Sequence, residues 1–496
     1  MIQECVTVRF FVCIFRKELY TFVYMRKKKL QYVIEDALVE GFAAEGNAIL
    51  RHEDKVIFVP KVVPGDVIEA LVYKQKHSFC LAKVIQIKSF SDKRVEVKCP
   101  HFDDCGGCSW QMLDYEWQKK YKQQQVIDNL ERIGGISCQN ISPIEGSDNI
   151  YYYRNKLEFT FSSRAWKKDF VKGQADESAL GFHISGLFDK VLNIEKCVLQ
   201  ADISNEIRNF LRDYTTQKHI PYYNIREHSG IMRNLIIRTT QNNDLMVVVV
   251  FALEDKNIIN DVMGALKQRF AQITSLQYCI NTKLNDSLSD QEFIVFDGKD
   301  HIMEYMPRFK QEEGKPLQFK IRPKTFYQTN APQALKLYTF AAQMADIQKE
   351  DVVYDLYTGT GTIANFIADK AKKVVGIEYV EDAVEDARIN SKENNINNTF
   401  FYAGDMAKVL NEDFIKQNLS PDIIITDPPR SGMAETVINQ ILNTSARRIV
   451  YISCNPATQA RDLKLLSSKY SVTKIQPVDM FPHTHHIENI VALDKI

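Results

Sequence analysis

The residues with the clearest chemistry lie near the C-terminus. The turn Ser453-Cys454-Asn455-Pro456 follows an apolar run at 449–452 that reads as a buried strand. A thiol at the end of such a strand, beside a proline-locked turn, is placed for nucleophilic attack. The bland alternative is a buried structural cysteine. Further on, Phe481-Pro482-His483-Thr484-His485-His486-Ile487-Glu488 gathers three histidines and a carboxylate. One reading is a metal site from the histidines. Their spacing is not the i, i+4 of a helical pair, and no second acidic cluster accompanies them. The other reading makes Glu488 an acid/base group beside the nucleophile.

A second set of residues could hold a cofactor. The apolar strand 352–356 carries Asp355 and runs into Tyr357-Thr358-Gly359-Thr360-Gly361, where two glycines allow a tight turn under a ligand. The next strand ends in Glu378, 17 residues after Gly361, where an acid can grip ribose hydroxyls. The third glycine of a dinucleotide fingerprint is absent, so S-adenosylmethionine suits this pattern better than NAD. After the third strand comes Asp405, placed to accept from an adenine amine. The fourth strand ends in Asp427-Pro428-Pro429-Arg430-Ser431-Gly432, whose prolines fix an extended turn that holds Asp427 at the sheet's carboxyl edge.

A third set is Cys99, Cys105 and Cys108, spaced C-x5-C-x2-C with Gly106 and Gly107 inside. Close thiolates around a flexible backbone favour a metal or cluster over free thiols. A fourth ligand is needed: His101 would serve zinc, and Cys197 would complete a four-cysteine iron–sulfur set. The spacing does not choose between them.

These sites need scaffolds, and the 496 residues suffice for about three domains. Composition is ordinary for a globular chain, at 45% hydrophobic and 25% charged, which excludes a disordered or collagenous one. Sixty-three basic residues balance 63 acidic ones, so any nucleic-acid binding must come from local patches. No apolar run reaches 18 residues, which argues against a helical membrane span. Ten cysteines without an export signal suggest a reducing, cytoplasmic setting. Residues 1–24 fit no signal peptide, and Met25-Arg26-Lys27-Lys28-Lys29 resembles a natural start, so 1–24 are expected to be an over-extended start or a leader.

Valine- and isoleucine-rich segments at 55–60, 66–75 and 79–87, with a Pro64-Gly65-Asp66 turn, predict a small β-barrel over 25–90. Basic residues crowd 74–98, including Lys83, Lys88 and Arg94. Leu113, Trp117, Tyr121, Val126 and Leu130 punctuate a helical stretch closed by Gly134-Gly135. A mixed α+β region then extends to 320. It opens with Tyr151-Tyr152-Tyr153-Arg154-Asn155-Lys156, aromatics interleaved with cations, which suits RNA as well as an ordinary sheet surface. Residues 321–496 alternate strands with amphipathic helices, the texture of a doubly wound α/β sheet.

Taken in order, Phe326-Tyr327-Gln328-Thr329-Asn330, the 355–361 loop, Glu378, the 427–432 turn, the 453–456 turn and the 481–488 segment resemble the RNA uracil-C5 methyltransferases of the 23S rRNA and tRNA type. The resemblance covers nearly everything after residue 30. It implies a C-terminal class I (Rossmann-like) methyltransferase domain at 321–496, an N-terminal TRAM/OB-like barrel at 25–90, and a central RNA-binding domain at 91–320. It implies Cys454 as nucleophile and Glu488 as base. Gln328, Tyr357, Gly359, Gly361, Glu378, Asp405 and Asp427 would contact S-adenosylmethionine, with Phe326 and Arg430 orienting the base. It also implies Cys99, Cys105, Cys108 and Cys197 as ligands of a 4Fe-4S cluster, as in the rRNA members. His485 and Thr358 depart from the small residue and the cysteine usual at those positions. The expected substrate is 23S rRNA, with tRNA as the alternative. A radical enzyme of the same cofactor and a non-enzymatic RNA-binding protein are the rivals. Neither a membrane nor an obligate protein partner is implied.

Overall fold

The computed structural model describes residues 31–43, 45–169, 177–309 and 314–496, with the backbone pairing of Phe10–Phe11 to Phe22–Val23. The expectation for residues 1–24 otherwise lies outside the described residues. The chain divides into two units, Met1–Arg94 and Val95–Ile496.

The first unit is a six-stranded sheet in which alternate residues face one core. Along Val67–Gln75, Ile68, Ala70 and Val72 point inward beside Leu50, Ile57 and Cys80. The segment 32–42 pairs at its start with Val67–Gln75 and at its end with Ala48–His52, which closes the sheet on itself. The three strands expected from the sequence are present as Lys55–Val59, Val67–Gln75 and Phe79–Ser89.

In the second unit, a seven-stranded sheet runs Leu187–Asn193, Ala179–Ile184, Lys156–Ser162, Met232–Thr239, Leu245–Phe251, Ser275–Ile280, Phe293–Gly298. The strands Met232–Thr239 and Leu245–Phe251 are buried on both faces. Leu235, Ile237, Val247 and Val249 meet the helices Asp202–Gln217 and Lys256–Arg269. Ile236, Met246 and Val248 face the C-terminal core.

The C-terminal sheet runs Thr399–Ala403, Lys373–Glu378, Val352–Leu356, Ile423–Thr426, Arg448–Ser453, Glu488–Lys495, Tyr470–Val478. All pairings among its first five strands are parallel, and Glu488–Lys495 inserts antiparallel. The order reverses between Val352–Leu356 and Ile423–Thr426, the switch point at which doubly wound sheets bind ligands. Because Glu488–Lys495 runs opposite to its neighbours, its first residue lies at the edge where the parallel strands end. Glu488 therefore stands next to the end of Arg448–Ser453, with Asn489 paired to Ser453.

The expected helix forms as Tyr115–Asn129, continues in a wider turn to Gly134, and ends at Gly135 with φ +66°. Leu113, Val126 and Leu130 of the apolar pattern are buried, but the buried face also takes in polar residues. Gln118, Lys122 and Val126 are buried, at i, i+4 and i+8, while Trp117 and Tyr121 are half-buried. Polar residues turn inward here because partners from the C-terminal segment meet them. Among the described residues, no helix is long and apolar enough to cross a membrane.

Candidate active site

Every strand end singled out in the sequence reaches the same edge of the C-terminal sheet. Asp355 is buried under the glycine loop. Its Oδ2 accepts from Thr358 Oγ1 at 2.5 Å and from the Ala364 N–H at 3.1 Å, and Oδ1 has no partner. Burial pushes its carboxyl up to about 7 against those two hydrogen bonds, and Glu378 adds to the rise. Tyr357, Gly359 and Gly361 all lie at positive φ. A side chain at Gly359 would meet open space, so the loop presents bare backbone there. Glu378 accepts from Gly359 N–H at 3.1 Å and Val380 N–H at 3.0 Å, so its carboxylate is oriented by the loop it faces. Asp405 is exposed and caps the helix Met406–Val409 through Ala407 N–H, which leaves one oxygen uncommitted.

Across the switch point, Cys454, Asp427, Glu488 and Arg430 form one electrostatic group. Cys454 is pushed up to about 11, first by burial and then by the Glu488 and Asp427 carboxyls, while Arg430 pulls it back. Glu488 is held well above the ordinary carboxylate range by burial and by Asp427, with Arg430 opposing. Asp427 rises to about 7 through burial and Asp355. Buried carboxyls close to one another disfavour joint ionisation.

Arg430 is anchored from both ends. Its carbonyl accepts from Asn455 Nδ2 at 3.0 Å and Thr458 Oγ1 at 3.1 Å. Its Nη2 meets His486 Nδ1 at 2.9 Å. Burial, His485 and the nearby cations push His486 down to about 3, so the imidazole is neutral and accepts from the guanidinium. Phe326 exposes its ring, 65% accessible, and its carbonyl accepts from Thr360 Oγ1 at 3.4 Å. Gln328 bonds through its side chain to Tyr338, whose buried hydroxyl is pushed up by burial, Asp427, Asp355 and Glu488.

Three contributors escape a reading by sequence. Tyr338 sits among apolar helix residues and reads as core. Asn455 reads as part of the Cys454 turn rather than as its tie to Arg430. His483 does not converge with His485 and His486 on a metal: its backbone has φ +66° and its ring meets Gln118. Among the described residues, no group of three or more His, Cys, Asp or Glu is drawn close enough to hold a single metal ion.

Cys99, Cys105, Cys108 and Cys197 nevertheless line one cavity of about 530 Å³, and none is in a disulfide. Cys108 is pushed up to about 12 by burial and by the other three cysteines. Amide N–H groups face the sulfurs: Gly107 donates to Cys105 at 3.4 Å, and the Leu199 and Gln200 backbones face Cys197. Two guanidinium groups, Arg208 and Arg154, also act on Cys197 and favour its thiolate. Arg208 is 1% exposed, with Nη1 lacking a hydrogen-bond partner, and Arg154 Nε lacks one too. Cations and N–H donors around four partly buried thiols suit an anionic centre. His101 lines the cavity as well, but its Nε2 already accepts from Glu195 N–H at 2.9 Å.

Comparison with known proteins then identifies the chain. The family model for tRNA (uracil-5-)-methyltransferases matches residues 231–496. An RNA methyltransferase of Bacteroides thetaiotaomicron is 50% identical over 91% of this chain and 99% of its own. The chain belongs to the uracil-5-methyltransferase family. It is an RNA methyltransferase of the uracil-5 type. A second relative, an RNA methyltransferase of Porphyromonas gingivalis, is 50% identical over 92% of this chain and 98% of its own. Among solved structures, the tRNA (uracil-54, C5)-methyltransferase of Pyrococcus abyssi, in complex with S-adenosyl-L-homocysteine, is similar with a TM-score of 0.71 and 26% identity. That similarity covers 92% of this uracil-5-methyltransferase and all of the archaeal chain.

Proposed function

We propose that this uracil-5-methyltransferase transfers the methyl of S-adenosylmethionine to C5 of a specific uridine in 23S rRNA, through a covalent bond between Cys454 and C6. The observation that carries the reading is the shared edge of Cys454, Asp427, Arg430 and Glu488 at the sheet's switch point. S-adenosylmethionine supplies, when bound, an electrophilic methyl on a sulfonium cation. The loop 357–361, with Glu378, suits its ribose and amino-acid parts: bare backbone at Gly359, an oriented carboxylate, and the unpartnered Asp355 Oδ1 beneath. Gln328, Tyr357, Asp405 and Asp427 complete the proposed cofactor contacts.

Uracil C5 is a weak nucleophile. Attack of the Cys454 thiolate on C6 pushes electron density to C5, which then takes the methyl. Arg430 favours the thiolate and, with Phe326, orients the pyrimidine. Glu488 then removes the C5 proton, so that the C5–C6 double bond re-forms and the thiolate leaves. A cation brought against Asp427 and Glu488 favours their ionised forms, which prepares Glu488 to accept that proton. The target base must leave its stack to reach a half-buried thiol. The barrel, a TRAM-like module, and the basic stretches at 74–98 and 151–168 would grip RNA outside the site. A cytoplasmic location accords with this substrate.

The cysteine cavity would hold a 4Fe-4S cluster through Cys99, Cys105, Cys108 and Cys197. On one zinc ion, thiolates converge at about 2.3 Å from the metal, whereas a cluster spreads its ligands. The four cysteines line one cavity, which supports a shared inorganic centre.

The alternative substrate is tRNA. It is supported by the archaeal tRNA (uracil-54, C5)-methyltransferase, which matches this chain over 92% of its length, the N-terminal unit largely included. Two experiments test the reading. Glu488→Gln should trap a methylated protein–RNA adduct on denaturing gels, and Cys454→Ala should abolish it while retaining cofactor binding; normal turnover by Glu488→Gln would overturn the base assignment. Mapping of 5-methyluridine in rRNA and tRNA from a deletion strain decides the substrate.

A further inference from the structure

The segment 479–487 leads directly into Glu488, and its conformation is unusual. His483 sits in the left-handed region, φ +66°, without being glycine. Such a residue costs on the order of 1–3 kcal/mol and persists only where its surroundings over-determine it. The surroundings here come from residues 109–122. Ser109 and Trp110 N–H both donate to the His483 carbonyl, at 2.8 and 3.0 Å. Gln118 Oε1 accepts from His483 N–H at 2.8 Å, and Gln118 Nε2 lies 3.2 Å from His483 Nδ1. The same Gln118 amide donates to Trp110 and Leu113 carbonyls at 3.1 and 2.8 Å, which locks its orientation. Burial and the nearby Lys122 push His483 down to about 3, so its ring is neutral and can accept.

One helical turn on, Lys122 Nζ donates to Asp479 Oδ1 at 2.6 Å, and both side chains are fully buried. It also donates to the Phe481 carbonyl at 3.0 Å, while Asp479 Oδ1 accepts from Phe481 N–H at 3.0 Å. Buried charges with multiple hydrogen bonds specify one geometry more than they add stability. Neither Gln118 nor Lys122 bonds to Cys454 or the glycine loop. Cys454 follows the 448–453 strand, and the Asn455 side chain ties its turn to Arg430.

We infer that Gln118 and Lys122 are positioning residues that clamp the 479–487 segment so that Glu488 meets the C5 proton. They thereby control breakdown of the covalent adduct rather than its formation. The inference rests on Glu488 being the base. A displacement of about 1 Å at a reacting group can cost about a hundredfold in rate. Glu488 is the first residue of its strand and pairs with Val478, so release of the 479–487 segment that joins the two loosens the placement of its carboxylate.

The test incubates wild type, Gln118→Ala, Gln118→Glu and Glu488→Gln with methyl-tritiated S-adenosylmethionine and total RNA from a strain lacking the gene. Samples are digested with ribonuclease and run on denaturing gels. Gln118→Ala should lower kcat about ten- to hundredfold at unchanged KM, and should retain methyl label on the protein, as Glu488→Gln does. Gln118→Glu keeps the acceptor for His483 N–H and should recover part of the rate. RNA carrying 5-fluorouridine has no C5 proton to remove, so Gln118→Ala should form the adduct on it at the wild-type rate. Loss of turnover in Gln118→Ala without retained label, when Glu488→Gln retains it, would overturn the clamp alone. Retained label in Gln118→Ala but not in Glu488→Gln would overturn Glu488 as the base, and with it the clamp as stated. Label in neither would overturn both.

Discussion

Asn455 donates its side-chain amide to the Arg430 carbonyl at 3.0 Å, so the turn after the candidate nucleophile is tied to the turn after Asp427. The same side chain caps the helix Pro456–Leu466 by accepting from Ala457 N–H at 3.2 Å. One residue therefore sets both the helix start behind Cys454 and the position of the guanidinium in front of it. Asn455→Ala should lower stability by about 1 kcal/mol and kcat by about tenfold, with cofactor affinity unchanged. Thermal melts and steady-state kinetics check this, and an unchanged kcat would separate the tie from catalysis.

The raised thiol sets the pH profile. With Cys454 pushed up to about 11, the thiolate fraction is small at neutrality and grows about tenfold per pH unit below that value. The single-turnover rate of adduct formation should therefore climb from pH 7 to 9. Arg430 lowers the thiol, so Arg430→Met should shift the climb to higher pH and slow the reaction at pH 7 by about tenfold. A rate independent of pH over this range would mean that substrate binding removes the burial effect.

Gly361 has no room for a side chain. Its φ is +72°, and a Cβ there would come within 2.9 Å of Ala387 Cβ and of Phe401 Cζ. Gly361→Ala should destabilise the protein by about 1–3 kcal/mol and weaken S-adenosylhomocysteine binding measured by titration calorimetry. Gly359→Ala, which meets no atom within 4 Å, should fold more nearly like wild type and still impair binding.

Breaking one half of the Lys122–Asp479 pair leaves the other charge buried. Lys122→Met should destabilise by about 3–5 kcal/mol, while Lys122→Met combined with Asp479→Leu should recover much of that loss. Denaturant unfolding of the three variants measures the difference. A double variant as unstable as the single one would show that packing, not the stranded charge, dominates.

Protein purified without oxygen should be brown and contain iron and sulfide, and Cys108→Ser should lose both. Zinc in their place would overturn the cluster assignment.

The candidate edge was legible because it is written locally. The strands 352–356, 423–426 and 448–453 are short, continuous apolar runs, and each ends at the residues singled out for chemistry. The glycine loop, the two-proline turn and the thiol turn are likewise contiguous, and their order along the chain suffices to predict a doubly wound sheet. The barrel strands follow from two-residue alternation in the same way. The helix Tyr115–Asn129 was legible as a helix but only partly in its facing. Val126 and Leu130 turn inward as the pattern implies, but Gln118 and Lys122 do so as well, because they meet partners more than 350 residues away. No local pattern announces a buried amide that bonds to His483. The histidines show the same limit: three residues apart in sequence, His483 turns to Gln118 and His486 to Arg430.

The sequence by itself determined which residue types stand at the strand ends, since hydrophobic periodicity and turn chemistry act over a few residues. Only the tertiary structure decided that Glu488 opens an antiparallel strand beside Ser453, that Arg430 is held by Asn455, and that four cysteines share one cavity with Arg154. These are long-range juxtapositions, set by strand order and by buried hydrogen bonds that have no counterpart in local spacing.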